Sequence, residues 1–106
     1  MKVVRYDPRA REEFRGAGAW YAERNQRAAQ QFFALILASE AAIQRAPQSW
    51  PFASHVPKRL GVRRLVLQDF PYSMVYLELD AEIMIVAVAH AKRRPGYWRS
   101  RVSASR

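Results

Sequence analysis

Hydrophobic residues recur at helical spacing in the first half of the chain. One apolar stripe consists of Ala10, Phe14, Ala17 and Tyr21. It predicts a helix that begins at the capping pair Asp7-Pro8 and ends at Asn25. A second and longer stripe runs through residues 26–46, which contain no glycine or proline, and predicts a helix that Pro47 ends.

Strand-like runs lie on both sides of these helices. Residues 2–6 predict a short first strand, and runs at 61–68, 72–79 and 82–90 predict three more after a proline-rich loop at 47–60. In the last run, one alternating set is Ile83, Ile85, Ala87 and Ala89, and the other is Met84, Val86, Val88 and His90. Both sets are mainly apolar, which indicates a central strand. The short connections predict an antiparallel meander.

The predicted order β-α-α-β-β-β is typical of an α+β domain in which two helices pack on one face of a mainly antiparallel sheet. A chain of 106 residues suits a single domain, which we assign to residues 1–106. We expect residues 103–106 to fray. No apolar run reaches the ~18 residues of a membrane span, and the charged start lacks the apolar core of a signal peptide. We therefore expect a soluble, cytoplasmic protein.

Composition narrows the possible chemistry. The chain has no cysteine, which excludes a disulfide framework, a thiolate nucleophile and a zinc–thiolate site. Two histidines and nine carboxylates argue against a dedicated transition-metal site. Phosphate-binding loops, dinucleotide-binding motifs and the common hydrolase motifs are missing. We expect neither a metal nor a cofactor.

The formal net charge is +9, and fifteen of the eighteen basic residues are arginine. No acid follows Glu82, whereas six basic residues do, namely Lys92, Arg93, Arg94, Arg99, Arg101 and Arg106. A second basic cluster consists of Lys58, Arg59, Arg63 and Arg64. The planar guanidinium group suits phosphate and carboxylate, so the charge fits a nucleic acid or an acidic protein. A merely solvated basic surface explains the charge equally well.

One segment, residues 90–98, combines the residue types that RNA cleavage by 2′-hydroxyl attack requires. His90 could accept a proton, the cations could hold the phosphate, and Tyr97 could donate to the leaving oxygen. Trp98 could stack on a base. From the residues alone a structural interpretation is favoured, in which His90 caps the strand, Trp98 packs on the sheet and the arginines are solvated.

Three stretches of the chain resemble the RelE/ParE superfamily, the toxins of bacterial type II toxin–antitoxin systems. They are RRLVL at 63–67, FPYSMVY at 70–76, and the run from Ile83 to Tyr97 with its AVAH and RRPGYW. The upstream strand, the two helices and the proline-rich loop agree with it. The resemblance covers about residues 2–101 and implies the same α+β fold and a growth-inhibiting activity.

The RelE-like branch of this superfamily cleaves mRNA on the ribosome, and its working positions are partly kept here. Arg64, Arg93 and Tyr97 match three of five such positions. Val66 and Ser73 stand where two phosphate-binding cations are expected. The ParE-like branch lacks the ribonuclease residues and poisons DNA gyrase, and the two departures suit that branch as well.

We favour ribosome-dependent mRNA cleavage without a metal, with gyrase poisoning as the alternative and a degenerate, non-toxic member as a third possibility. The catalytic residues implied by the resemblance are His90, Arg93 and Tyr97. The nucleic-acid-binding residues are predicted to be Lys58, Arg63, Arg64, Lys92, Arg94 and Trp98. The expected protein partner is an acidic antitoxin, whose C-terminal segment would dock on the second helix or on the sheet edge at 61–68.

Overall fold

A computed structural model describes residues 1–105, which form one four-stranded sheet and three α-helices. The elements are β1 (Val3–Tyr6), α1 (Pro8–Arg24), α2 (Gln26–Arg45), β2 (Val62–Val66), β3 (Tyr72–Glu78), β4 (Glu82–His90) and α3 (Arg99–Ser105), with a 3-10 turn at Lys58–Leu60. The predicted order β-α-α-β-β-β and the α+β class are confirmed. The expected fraying was wrong for residues 103–105, which belong to α3, and Arg106 lies outside the described residues.

Two short polar side chains set the helix boundaries. The Asp7 carboxylate accepts a hydrogen bond from the backbone N–H of Arg9 at 2.8 Å, which caps the start of α1. The backbone N–H of Asn25 donates to Tyr21 O, and the Asn25 side chain accepts from the N–H of Ala28. One residue therefore ends α1 and begins α2, so the two helices form a tight hairpin.

The strand order in the sheet is β1-β4-β3-β2. Strand β1 runs parallel to β4, and the other neighbours are antiparallel, so the meander and the central position of β4 are confirmed. A register shift sets Val75 opposite Ala87 but Tyr76 opposite Ile85, which leaves Val86 as an extra residue in β4. The strict alternation predicted for this strand was wrong beyond Val86, because a bulge moves each later side chain to the other face.

Both faces of the sheet are covered. Helices α1 and α2 pack on one face, where Phe32, Ile36 and Ile85 are fully buried. On the other face α3 and the loop before β2 bury Trp98 and Val102 in a second cluster. The sequence predicted helices on one face only, and the second covering layer explains why β4 is apolar on both sides. In the described part of the chain no helix is long and apolar enough to cross a membrane.

Candidate functional site

A cavity of about 260 Å³ opens beside the C-terminal end of β4. Its wall contains three arginines, Arg64, Arg93 and Arg94, and both histidines of the chain, His55 and His90. No carboxylate belongs to this wall. We call it the basic cavity, and its charge suits an anion.

Two separate parts of the chain bring the arginines of the basic cavity together. Arg64 lies on β2, where its register partner on β3 is Val75. Arg93 and Arg94 lie in the turn that follows β4, and the backbone N–H of Arg93 donates to His90 O at 3.0 Å. The strand order places β3 between β2 and β4, so the cavity spans three neighbouring strands.

Tyr97 forms another part of the cavity wall, and its hydroxyl group already has a partner. The hydroxyl donates to Glu13 Oε2 at 2.6 Å. The guanidinium carbon of Arg93 lies 3.8 Å from the centre of the Tyr97 ring, within range of a cation–π contact. Burial and the bond to Glu13 raise the pKa of Tyr97 well above its usual range. The hydroxyl therefore stays protonated and directed at a carboxylate.

Glu13 lies at the centre of a small polar network on the edge of β4. Strand β1 ends at Tyr6, so the later part of β4 has no strand on that side. Glu13 Oε1 accepts the backbone N–H of Val88 at 3.0 Å, and Arg101 donates to Val86 O at the same distance. These two side chains replace the missing strand by satisfying the backbone groups it leaves.

Glu13 and Arg101 also form an ion pair. Their charged atoms are 3.0 Å apart, and only 16% and 10% of the respective side chains are exposed. The pair joins α1 to α3 and holds Tyr97 between them. The sequence analysis missed Glu13, because an acid in a charged helix start gives no local sign of a buried partner.

The imidazole of His90 is oriented by its neighbours. Its Nδ1 accepts the backbone N–H of Lys92 at 3.0 Å, and its ring meets the Tyr72 ring edge-on at 5.0 Å. These contacts fit the strand-capping role that the sequence allowed. They still leave Nε2 without a hydrogen-bond partner among residues 1–105.

The remaining predicted nucleic-acid residues do not all meet at one place. Trp98 contributes to the wall of the basic cavity, but it is only 4% exposed and packs in the second core cluster. Arg63 lies over the Phe52 ring at 4.0 Å and donates to a backbone carbonyl of the preceding loop. Lys58 approaches the same ring at 5.9 Å, and Lys92 is exposed. Arg63, Lys58 and Lys92 lie outside the wall of the basic cavity.

Residues 1–105 contain no group of three His, Cys, Asp or Glu side chains that could hold a metal ion. The basic cavity can instead hold an anion through guanidinium groups. The Tyr97 hydroxyl could serve as an acid only after leaving Glu13.

The comparisons with known proteins agree with this fold. A solved structure titled "Chromosomal ParDE TA system from P. aeruginosa" contains a chain that is 21% identical, with a TM-score of 0.72 over 87% of this chain and 98% of that chain. A search of curated proteins finds no significant match. The family model for the ParE toxin of type II toxin–antitoxin systems (parDE) matches residues 4–95.

This match spans most of the sequence, so the molecule falls in the class of type II toxin–antitoxin toxins. Within that class the chain belongs to the ParE toxin family. The resemblance to the RelE/ParE superfamily is thereby confirmed, and a toxin of this type has a cognate antitoxin as its partner.

Proposed function

We propose that this chain arrests growth by poisoning DNA gyrase and not by cutting mRNA. The observation that carries the proposal is the register of β2 and β3, in which Val66 lies directly opposite Ser73. These are the two positions where the RelE-like pattern places phosphate-binding cations. Both cations are therefore missing from the same place on the sheet, so no basic side chain is left at this pair of positions to bind a phosphate.

The geometry of Tyr97 supports the same proposal. A leaving-group donor has to point at the substrate, but this hydroxyl points at Glu13 at 2.6 Å. Membership of the ParE family also supports gyrase as the target. This reverses the order of preference suggested by the sequence, where mRNA cleavage came first.

Ribosome-dependent mRNA cleavage remains the second candidate because of one specific observation. Arg64, His90, Arg93 and Tyr97, the residues implied for that chemistry, all contribute to the wall of the basic cavity. A ribonuclease of this kind would depend on the Tyr97 hydroxyl, whereas a gyrase poison would tolerate the loss of that group.

The test is induction of the chain alone in a bacterial host, with 5′-end mapping of transcripts and a count of gyrase-linked DNA breaks. We expect breaks with intact transcripts. Tyr97→Phe keeps the ring under Arg93 and removes only the hydroxyl, and it should remain toxic. New 5′ ends inside translated codons that vanish in Tyr97→Phe would instead establish the nuclease. A chain that fails to stop growth would be a degenerate member.

We further propose that the antitoxin docks between α2 and the free end of β2. An apolar groove of about 310 Å³ lies there, and its wall includes Leu35, Ala42, Trp50, Leu65 and Val66. Val66 is 59% exposed. The indole nitrogen of Trp50 is buried with no hydrogen-bond partner among residues 1–105. The groove therefore offers apolar surface to an incoming segment.

The backbone of β2 supports strand addition at the same place. The loop before β2 already pairs with its first half, since Ala53 N donates to Val62 O and Arg64 N donates to Pro51 O. Alternation along the strand then directs the N–H and C=O of Val66 away from β3 and toward the open edge. An extended segment with apolar and acidic residues could continue the sheet there.

A matched pair of variants tests this docking site. Val66→Glu places a negative charge in the groove, and Val3→Glu places the same charge on the other edge strand, where Val3 is 66% exposed. Because the added charge repels an acidic segment, we expect Val66→Glu to weaken antitoxin binding at least about tenfold, as measured by titration calorimetry, and Val3→Glu to leave it unchanged. Equal affinities for the two variants would exclude the groove as the docking site.

A further inference from the structure

We infer that the basic cavity binds a backbone phosphate of DNA, so that the toxin engages gyrase together with the DNA that the enzyme holds. The choice of DNA as the ligand rests on the proposed gyrase function. The phosphate chemistry does not, because it follows from the wall of the cavity.

Unpaired charge is the first argument. Some arginines elsewhere pair with carboxylates, as in Arg5–Glu82 and Arg101–Glu13, and others, such as the exposed Arg27, have no ion pair among residues 1–105 but do not line the basic cavity. The guanidinium groups of Arg64, Arg93 and Arg94 have no such ion pair among residues 1–105, and the cavity wall has no carboxylate. Three like charges held around one concave surface repel each other, and an anion between them relieves that repulsion.

Fixed geometry is the second argument. The Arg93 guanidinium stacks on the Tyr97 ring at 3.8 Å, which fixes the orientation of the guanidinium plane. Its N–H groups point outward in that plane and stay free to bind an anion. Glu13 in turn anchors Tyr97 through its hydroxyl. Arg64 projects from a strand whose register with β3 is set by five residue pairs. Donors held in this way lose little freedom when they bind an anion.

The size of the cavity determines what else can enter. At about 260 Å³ it lies just below the range of about 300–1,000 Å³ that is usual for small-molecule sites. The two aromatic rings in its wall offer little surface to a base, because Trp98 is 4% exposed and Arg93 stacks on Tyr97. The cavity thus suits a phosphate with its sugar. Contacts of this kind position a strand without reading its sequence.

The experiment measures binding of fluorescent oligonucleotides of about 16 nucleotides to the full chain by anisotropy, without gyrase. Duplex DNA, single-stranded DNA and RNA of one sequence are compared, with a scrambled DNA as a further probe. Arg64→Gln and Arg94→Gln each remove one charge from the cavity. Arg27→Gln removes the same charge from the exposed start of α2 and is the matched control.

We expect each cavity variant to weaken DNA binding about tenfold. For duplex DNA, the slope of log affinity against log salt concentration should become shallower by about 0.9, the amount for one phosphate contact. Arg27→Gln should change the affinity less than about twofold, and the scrambled DNA should bind as well as the original. Inorganic phosphate should compete with DNA for the unmodified chain and less for the cavity variants.

Two results would overturn the inference. An equal loss in Arg27→Gln and in the cavity variants would mean that only overall charge matters. Tighter binding of RNA than of DNA through Arg64 and Arg94 would assign the cavity to RNA. Gyrase-linked breaks in cells report the proposed function separately, so a chain that binds DNA through the cavity but causes no breaks refutes gyrase poisoning and not the phosphate site.

Discussion

Replacing Glu13 with alanine should destabilise the protein strongly. The substitution removes the acceptor for Val88 N–H and for the Tyr97 hydroxyl, and it leaves Arg101 without its counter-ion. Both side chains of the ion pair are less than one-fifth exposed, so it counts as a buried pair. Removing one partner of a buried pair lowers the free energy of unfolding by about 3–5 kcal/mol. That is a large fraction of the ~5–15 kcal/mol that stabilises a typical domain.

Urea unfolding followed by circular dichroism measures this loss. At a slope of ~1.5–2 kcal/mol per molar urea, this loss of about 3–5 kcal/mol moves the midpoint down by about 1.5–3 M. Glu13→Gln keeps one acceptor oxygen, which can serve the N–H of Val88, but it puts an NH2 group at the second position and removes the charge. We expect an intermediate loss of about 1–3 kcal/mol. This second variant keeps the test valid if Glu13→Ala does not fold.

The neighbouring acid provides the control. Glu12 is 74% exposed and lies 3.4 Å from Arg15 in a pair across one helical turn. Glu12→Ala should change the free energy of unfolding by less than about 0.5 kcal/mol. If Glu12→Ala and Glu13→Ala unfold at the same urea concentration, the Glu13 network does not join α1 to β4 and α3, and our account of Tyr97 fails with it.

Two further predictions concern α1. The Cβ that Gly16→Ala adds meets nothing within 4 Å, so this variant should stabilise the fold by about 0.5–1 kcal/mol. The Cβ that Gly18→Ala adds would lie 2.6 Å from Phe33 Cζ, and this clash should cancel or reverse the gain. Equal rises in the melting temperature of the two variants would contradict this packing. The hydrogen bond from the Arg9 side chain lowers the pKa of Asp7. The stabilisation of the fold by the Asp7 carboxylate is therefore complete above about pH 4 and is lost as the pH falls through the lowered pKa. Asp7→Asn keeps a capping oxygen, and its urea midpoint should fall less between pH 7 and pH 3 than that of the unmodified chain.

Local signals in the sequence determined most of the secondary structure. The capping residue Asp7 and the break at Asn25 gave the limits of α1 correctly, because a cap acts on backbone groups two or three residues away. Pro47 limited α2 to within one residue. The apolar content of residues 82–90 also identified β4 as the central strand. In each of these cases the deciding contacts lie close along the chain or concern simple burial.

The site depended on contacts between distant residues. Arg64 and Arg93 could be nominated from the sequence, but their common cavity exists only because β3 separates β2 from β4 in the sheet. Trp98 was predicted to stack on a base, and the structure packs it in the core behind the basic cavity, where only 4% of the residue is exposed. An aromatic residue next to basic ones looks the same in a sequence whether its ring meets a base or a sheet.

Tertiary structure alone decided three features. The bulge at Val86 has no sequence signal because both faces of β4 are apolar, so a shift by one residue changes no hydropathy pattern. Helix α3 is seven residues long, too short to form without packing on the sheet. Glu12 and Glu13 are neighbours in the same charged helix start and look alike in the sequence. Because β1 ends early, the N–H of Val88 in β4 has no strand partner, and Glu13 binds it while Glu12 pairs with Arg15 on the surface. The sequence by itself determined the elements and their order, and the three-dimensional contacts decided which charges are buried, paired or left free for a ligand.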